Sequence, residues 1–180
     1  MASAVREILP PAIGSDELRR RQSELAANTN PTVFNVAGQL LAEGRTDTPL
    51  AATEDMSIRL KIYAEGGENE LHAHPGEDHS FIVLQGSVRF YGPAHEETVL
   101  EADQGIMLPK GNMYWFAAIP GEPLVMLRIG SPNYQKLPKI DRIDAAGSPM
   151  RGDSKKNKSV PIKFLDDQFY GRSDVTGPKV

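Results

Sequence analysis

Three of the four histidines in this 180-residue chain stand at positions 72, 74 and 79, in the run ELHAHPGEDHSF. Side chains alternate along an extended strand, so His72 and His74 project to the same face. A residue before proline is pushed out of the helical region, which favours extension at His74. Pro75, Gly76, Glu77 and Asp78 then read as a turn that returns His79 on the neighbouring strand. Two imidazoles from one strand and a third from the next can surround a divalent cation at about 2.0–2.2 Å. Neutral imidazole suits zinc, copper, iron and nickel, and spacing alone does not choose among them. Glu77 and Asp78 rank below His79 as ligands, because acids beside a tight turn usually face solvent. His95, in PAHEE, reads as an exposed hairpin turn.

The elements that must hold these residues are strands. Met56, Ile58, Leu60 and Ile62 alternate with Ser57, Arg59, Lys61 and Tyr63, a period of two that predicts a strand with one buried face. Short apolar runs recur at 80–85, 87–91, 98–100, 106–108, 113–119 and 124–129. Gly86, Gly92-Pro93, Gly105, Gly111, Pro120-Gly121 and Pro132 punctuate them. Many short strands at this spacing predict an all-β, antiparallel sandwich or barrel. The expected division is an N-terminal arm with a short helix over 1–30, a barrel over 31–134, and a linker with a docking tail over 135–180. The helix is expected to start at Ser15 or Asp16, and Arg19–Arg21 to form a solvated face. Residues 141–160 have few apolar anchors and read as mobile, while the apolar run 161–170 reads as docking on the barrel or on a second subunit.

The segment Gly66–Gly86 resembles the first motif of the cupin superfamily, G-x5-H-x-H-x3–4-E-x6-G, with Gly66, His72, His74 and Gly86 in place and His79 where the family has its glutamate. The stretch ADQGIMLPKGNMYWFAA resembles the second motif, G-x5-P-x-G-x2-H-x3-N. Pro109 and Gly111 match, while Asp103, Tyr114 and Ala118 replace the glycine, histidine and asparagine. The resemblance implies a six- to eight-stranded jelly-roll barrel with a metal in its mouth, flanked here by a helical N-terminal arm and an extended C-terminal arm. It also implies a homodimer. Cupins carry many chemistries on one fold, so the site must argue for itself.

On this resemblance the expected metal ligands are His72, His74 and His79, and the ion is iron, with manganese, zinc, nickel or copper as alternatives. Tyr114 is expected in a catalytic role, as a phenolate ligand or as a group that orients substrate or supplies a proton. Alternation from His79 and Tyr114 turns Phe81, Val83 and Phe116 inward as a mostly apolar pocket wall, with Trp115 outside. Arg59 and Arg128 are strand arginines and are expected to face solvent, with binding of a substrate carboxylate as the alternative. The implied activity is a dioxygenase-type oxidoreductase acting on a small oxygenated organic molecule. The alternatives are a Lewis-acid isomerase or lyase, and a barrel that binds a small molecule or sugar without turnover.

Composition narrows the field further. The chain is 39% hydrophobic and 24% charged, enough for a packed core, with a net charge of −4. That balance offers no general field for nucleic acid or an anionic membrane. The count of zero cysteines excludes disulfides, thiol nucleophiles and thiolate metal sites. The N-terminal MASAVREILPP lacks a hydrophobic signal core, and a cytoplasmic location is expected.

Overall fold

The computed structural model describes residues 8–64, 68–132 and 142–171. Gly66 of the first motif lies outside them, as do residues 1–7, 133–141 and 172–180. One helix, α1 (Gly14–Ala26), precedes the strands β1 (Gly38–Glu43), β2 (Arg45–Ala52), β3 (Ser57–Tyr63), β4 (His72–Ala73), β5 (Glu77–Gln85) and β6 (Ser87–Tyr91). They are followed by β7 (Glu97–Glu101), β8 (Gly105–Leu108), β9 (Trp115–Ala118), β10 (Leu124–Pro132), β11 (Ile143–Asp144) and β12 (Lys163–Tyr170).

The strands form an antiparallel jelly roll. A five-stranded sheet in the order β2-β3-β10-β5-β8 faces a three-stranded sheet in the order β7-β6-β9. Between them packs a core of Tyr63, Phe81, Val83, Val88, Phe90, Phe116, Leu124 and Met126. The aromatic rings meet edge-on or tilted, with Phe81 and Phe116 centroids 5.7 Å apart, as ring quadrupoles prefer. Burying each such ring contributes on the order of 2–3 kcal/mol, so this layer is a rigid floor.

A second core lies on the outer face of the larger sheet, where Leu60, Ile62 and Val125 pack against Leu40, Leu41 and Leu50. β12 pairs with β1 and places Leu165 and Tyr170 on this core. β3 is therefore buried on both faces, not one. Its apolar face meets the second core, and its polar face, Arg59, Lys61 and Tyr63, turns into the barrel. The alternation was real, but polar residues on a strand can face an internal cavity as well as solvent.

The segment after residue 141 also departs from expectation. β11 pairs with β4, Met150 and Asn157 are buried, and the Asn157 carboxamide accepts from the Glu70 N–H and donates to the Gly152 carbonyl. Polar anchoring replaces the apolar anchors this segment lacks. Lys158 reaches over the ring of Trp115, whose own ring stacks on Tyr91 at 3.9 Å. The helix begins at Gly14 without a side-chain cap, and Glu17 instead reaches back to accept the Ile13 N–H at 2.7 Å. The Ala12 N–H donates to the Asp47 carbonyl, fixing the arm to β2. Among the described residues no helix is long and apolar enough to cross a membrane.

Candidate metal centre and cavity

His72 occupies a two-residue strand that exchanges backbone hydrogen bonds with Tyr114, at 3.0 and 2.9 Å. Its ring Nδ1 donates to the Glu70 carbonyl at 2.6 Å, which leaves the lone pair on Nε2. That Nε2 is buried and has no hydrogen-bond partner among the described residues; the same holds for both ring nitrogens of His74. His74 keeps its extended backbone before Pro75, and its carbonyl accepts from the Gly111 N–H at 2.9 Å. The two rings stand 5.2 Å apart, as same-face neighbours should.

The turn is shorter than the sequence suggested. β5 starts at Glu77, so Glu77, His79, Phe81 and Val83 all share its inner face. Glu77 is buried, not solvent-facing, and this corrects its ranking below His79. Asp78, on the other face, accepts from the Lys110 N–H at 2.7 Å. The Glu77 carboxylate lies 3.0 Å from His79 Nε2 and 3.9 Å from His74 Nδ1. Ligand atoms of His74, Glu77 and His79 all fall within 4.8 Å of one another. The compact donor set is thus two histidines and a glutamate, and His72 flanks it instead of completing a three-histidine set. The signal for Glu77 was available: extending the period of two backward from His79 by one step reaches it.

Arg128 also turns inward, against expectation, and is 3% exposed. Its Nη2 donates to Glu77 at 2.8 Å and contacts His79 Nε2. The carboxylate, the imidazole and the guanidinium thus form one charge-assisted cluster. β10 gave no clue to this, because Leu124 and Met126 on one face and Val125 and Leu127 on the other are all apolar.

Electrostatics keeps the imidazoles neutral. Burial pushes His72 and His74 well below the ordinary histidine range, helped by the field of Arg142 on both and of neighbouring His79. Burial lowers His79 too, although its bond to Glu77 works the other way. Neutral imidazole is the form that binds a metal. Burial drives the Tyr114 phenol in the opposite direction, well above its ordinary value, so it keeps its proton. The Tyr114 oxygen sits 3.2 Å from His79 Nδ1, behind the ring rather than within the compact donor set.

A cavity of about 390 Å³ opens over this centre, with His74 and Glu77 in its wall. Phe81, Val83 and Phe116, expected as its lining, do not border it; they are packed in the inner core beneath, at most 1% exposed. The wall is instead polar and cationic, with Arg59, Lys61, Arg128 and Arg142 among its residues. Asp47 Oδ2 accepts from both Arg59 (3.1 Å) and Lys61 (2.8 Å). Burial pushes the Asp47 carboxyl up, but those two cations outweigh it and hold it below the ordinary range. Helix α1 contributes Leu18 to the lining, and Ala12, just before the helix, borders the cavity as well. His95 is exposed at a positive φ in the β6–β7 turn, far from this chemistry in role.

Antiparallel jelly roll, inward HxH pair and carboxylate–imidazole cluster together define the class. Residues 59–130 match the Cupin domain family, and this stretch of the chain is a cupin domain. The chain is similar to the uncharacterised protein YdbB of Bacillus subtilis (strain 168), at 31% identity over 72 residues, 40% of this chain; it spans 62% of that relative's length. Among solved structures it is similar to KdgF from Halomonas sp., at 20% identity and a TM-score of 0.46, covering 49% of this chain and 81% of that one. It is also similar to the cupin domain of Schizosaccharomyces pombe Cnp3, at 18% identity and a TM-score of 0.48, covering 53% and 70%.

Proposed function

We propose that this cupin domain is a metal-dependent enzyme acting on a small oxygenated organic molecule, with dioxygenase-type oxidation as its reaction. The observation that carries the reading is the set of buried imidazole nitrogens on His72 and His74 that lack hydrogen-bond partners beside Glu77 and His79. Leaving such groups buried and unpaired costs about 1–3 kcal/mol each, which a bound cation would offset. His74, Glu77 and His79 would hold the ion, with His72 as the adjoining donor. One carboxylate among neutral imidazoles suits a divalent first-row metal, ferrous iron first. A bound ion of this kind supplies Lewis acidity and, with iron, a route for dioxygen chemistry.

The chain's own residues do the remaining work. The Glu70 carbonyl fixes the His72 tautomer, and Tyr114 holds the His79 ring through Nδ1. Tyr114 keeps its proton and acts as a positioning residue. The packed aromatic floor excludes water from below.

One observation favours a second reading, a binding barrel without turnover: Arg128 already bridges Glu77 and His79 as a tethered cation. Elemental analysis separates the two. The protein is loaded with ferrous iron, manganese or zinc, dialysed and analysed beside His74→Ala. About one ion per chain in the parent and a loss of most of it in the variant supports the enzyme. Less than about a tenth of an equivalent with every metal leaves the binding barrel.

A further inference from the structure

We propose that the cavity is a carboxylate-binding site, whose ligand is a small carboxylic acid with a short hydrocarbon body. The inference rests on reading the cavity as the substrate site, and it names the substrate's class. Among the described residues, six cationic side chains line the cavity against three acidic ones, in a chain whose overall charge is −4. Asp153 among those acids is committed elsewhere, to Arg151 at 3.0 Å and to the Ser15 N–H at 2.9 Å. Asp47 pairs with both Arg59 and Lys61, which are 8% and 9% exposed. Arg128 spends Nη2 on Glu77 and His79, while its buried Nη1 has no hydrogen-bond partner among the described residues. A buried cationic nitrogen left without an acceptor, as Arg128 Nη1 is, is costly unless an anion joins it.

The shape of the ligand follows from the lining. The cationic wall stands beside the metal centre, so the anionic head group sits there, next to the free guanidinium edge that carboxylates recognise. Ala12, Leu18, Val160 and Ile162 also line the cavity and offer a hydrocarbon body apolar surface to meet. A volume of about 390 Å³ is at the small end for organic ligands. Glu77 and Asp47 share the wall, so a singly charged carboxylate meets less repulsion than a phosphate dianion.

The probes are butyrate, its neutral isostere butyramide, and inorganic phosphate, each titrated into full-length, chelator-treated protein at low salt by calorimetry and amide chemical shifts. Butyrate is expected to bind at least tenfold tighter than butyramide. Arg128→Gln and Lys61→Gln are each expected to weaken butyrate tenfold or more without changing butyramide. Lys61→Gln keeps the test decisive if the Arg128 variant does not fold. Equal binding of butyrate and butyramide, variants within twofold of the parent, or tighter binding of phosphate than of butyrate would each overturn the proposal. These titrations need no metal, so their failure is distinct from a failure to load metal, which bears on the enzyme reading alone.

Discussion

Gly130 is the position where one added methyl group tests the centre most directly. It pairs with His79 on one side and Ser57 on the other, in the middle of the larger sheet. A Cβ built there would overlap Glu77 Oε1 and stand 3.0 Å from both the Glu77 carboxyl carbon and Arg128 Nη1. Its φ is not in the left-handed region, so alanine costs nothing in backbone strain. The whole penalty must come from moving the Glu77 carboxylate off Arg128 (2.8 Å) and His79 (3.0 Å). Removing one partner of a buried pair costs about 3–5 kcal/mol. A displaced partner keeps part of its interaction, and Gly→Ala regains about 0.4–1 kcal/mol through the unfolded chain. The net expectation for Gly130→Ala is a loss of about 2–4 kcal/mol, and a Tm lower by about 5–15 °C for a chain of this size. Chemical denaturation and calorimetry measure it, and a cycle with Glu77→Ala isolates the cause. Without the carboxylate the methyl meets only the end of Arg128, so Gly130→Ala should then cost under about 1 kcal/mol. If the alanine variant stays within about 0.5 kcal/mol of the parent, or costs the same with and without Glu77, the placement of Glu77 against Gly130 is refuted.

Two further outcomes follow from the buried rings. His72, His74 and His79 bind protons less readily in the folded state than in the unfolded one, so the unfolded state carries more protons below the ordinary histidine value of 6.5. Stability should therefore rise with pH through this window and fall on acidification, with His72 and His74 contributing most and His79, held by Glu77, contributing less. Urea denaturation of chelator-treated protein checks the slope, and a flat profile from 6.5 to 5 argues against three neutral buried rings; Asp47 adds a loss of the same sign only below its unfolded value of 3.8. Tyr114→Phe removes the 3.2 Å contact of the phenol with His79 Nδ1 and should cost about 1–3 kcal/mol of stability. It should also weaken metal binding by about 10–100-fold in a competition titration, and unchanged affinity would remove Tyr114 from the support of His79.

Most of the barrel is legible in the order of residues because its strands are short and their ends are marked. The run 87–91 is β6 to the residue, and 98–100, 106–108 and 124–129 fall within β7, β8 and β10. β1 and β2 are not legible in the same way. Val33, Phe34 and Val36 look β-prone yet precede the strand, which runs from Gly38 to Glu43. β2 reads RTDTPLAA, with no alternation to detect, because its Arg45 and Asp47 border the cavity while Thr48, Pro49 and Leu50 are all buried. A strand that serves a cavity on one face and a core on the other has lost the contrast on which periodicity depends.

The same loss of contrast explains which part of the centre could be read and which could not. His72 and His74 share a face whatever surrounds them, because strand geometry alone puts them there. Glu77 follows from the same rule once the turn is shortened to Pro75-Gly76. Arg59, Lys61 and Arg128 follow from no such rule. Each lies on a strand whose neighbours are apolar, and the usual inference sends a charged residue in that setting outward. That inference assumes that water lies only outside. In a jelly roll with an open mouth the inner face of β3 and β10 changes character along its length, from Tyr63, Leu124 and Met126 in the packed floor to Lys61, Arg59 and Arg128 in the cavity wall. A strand face that turns from apolar to charged partway along marks where packing stops and a site begins. Positions where local rules break in this manner are the ones expected to serve function. Here those charged positions converge on one wall, beside the only three buried histidines among the described residues.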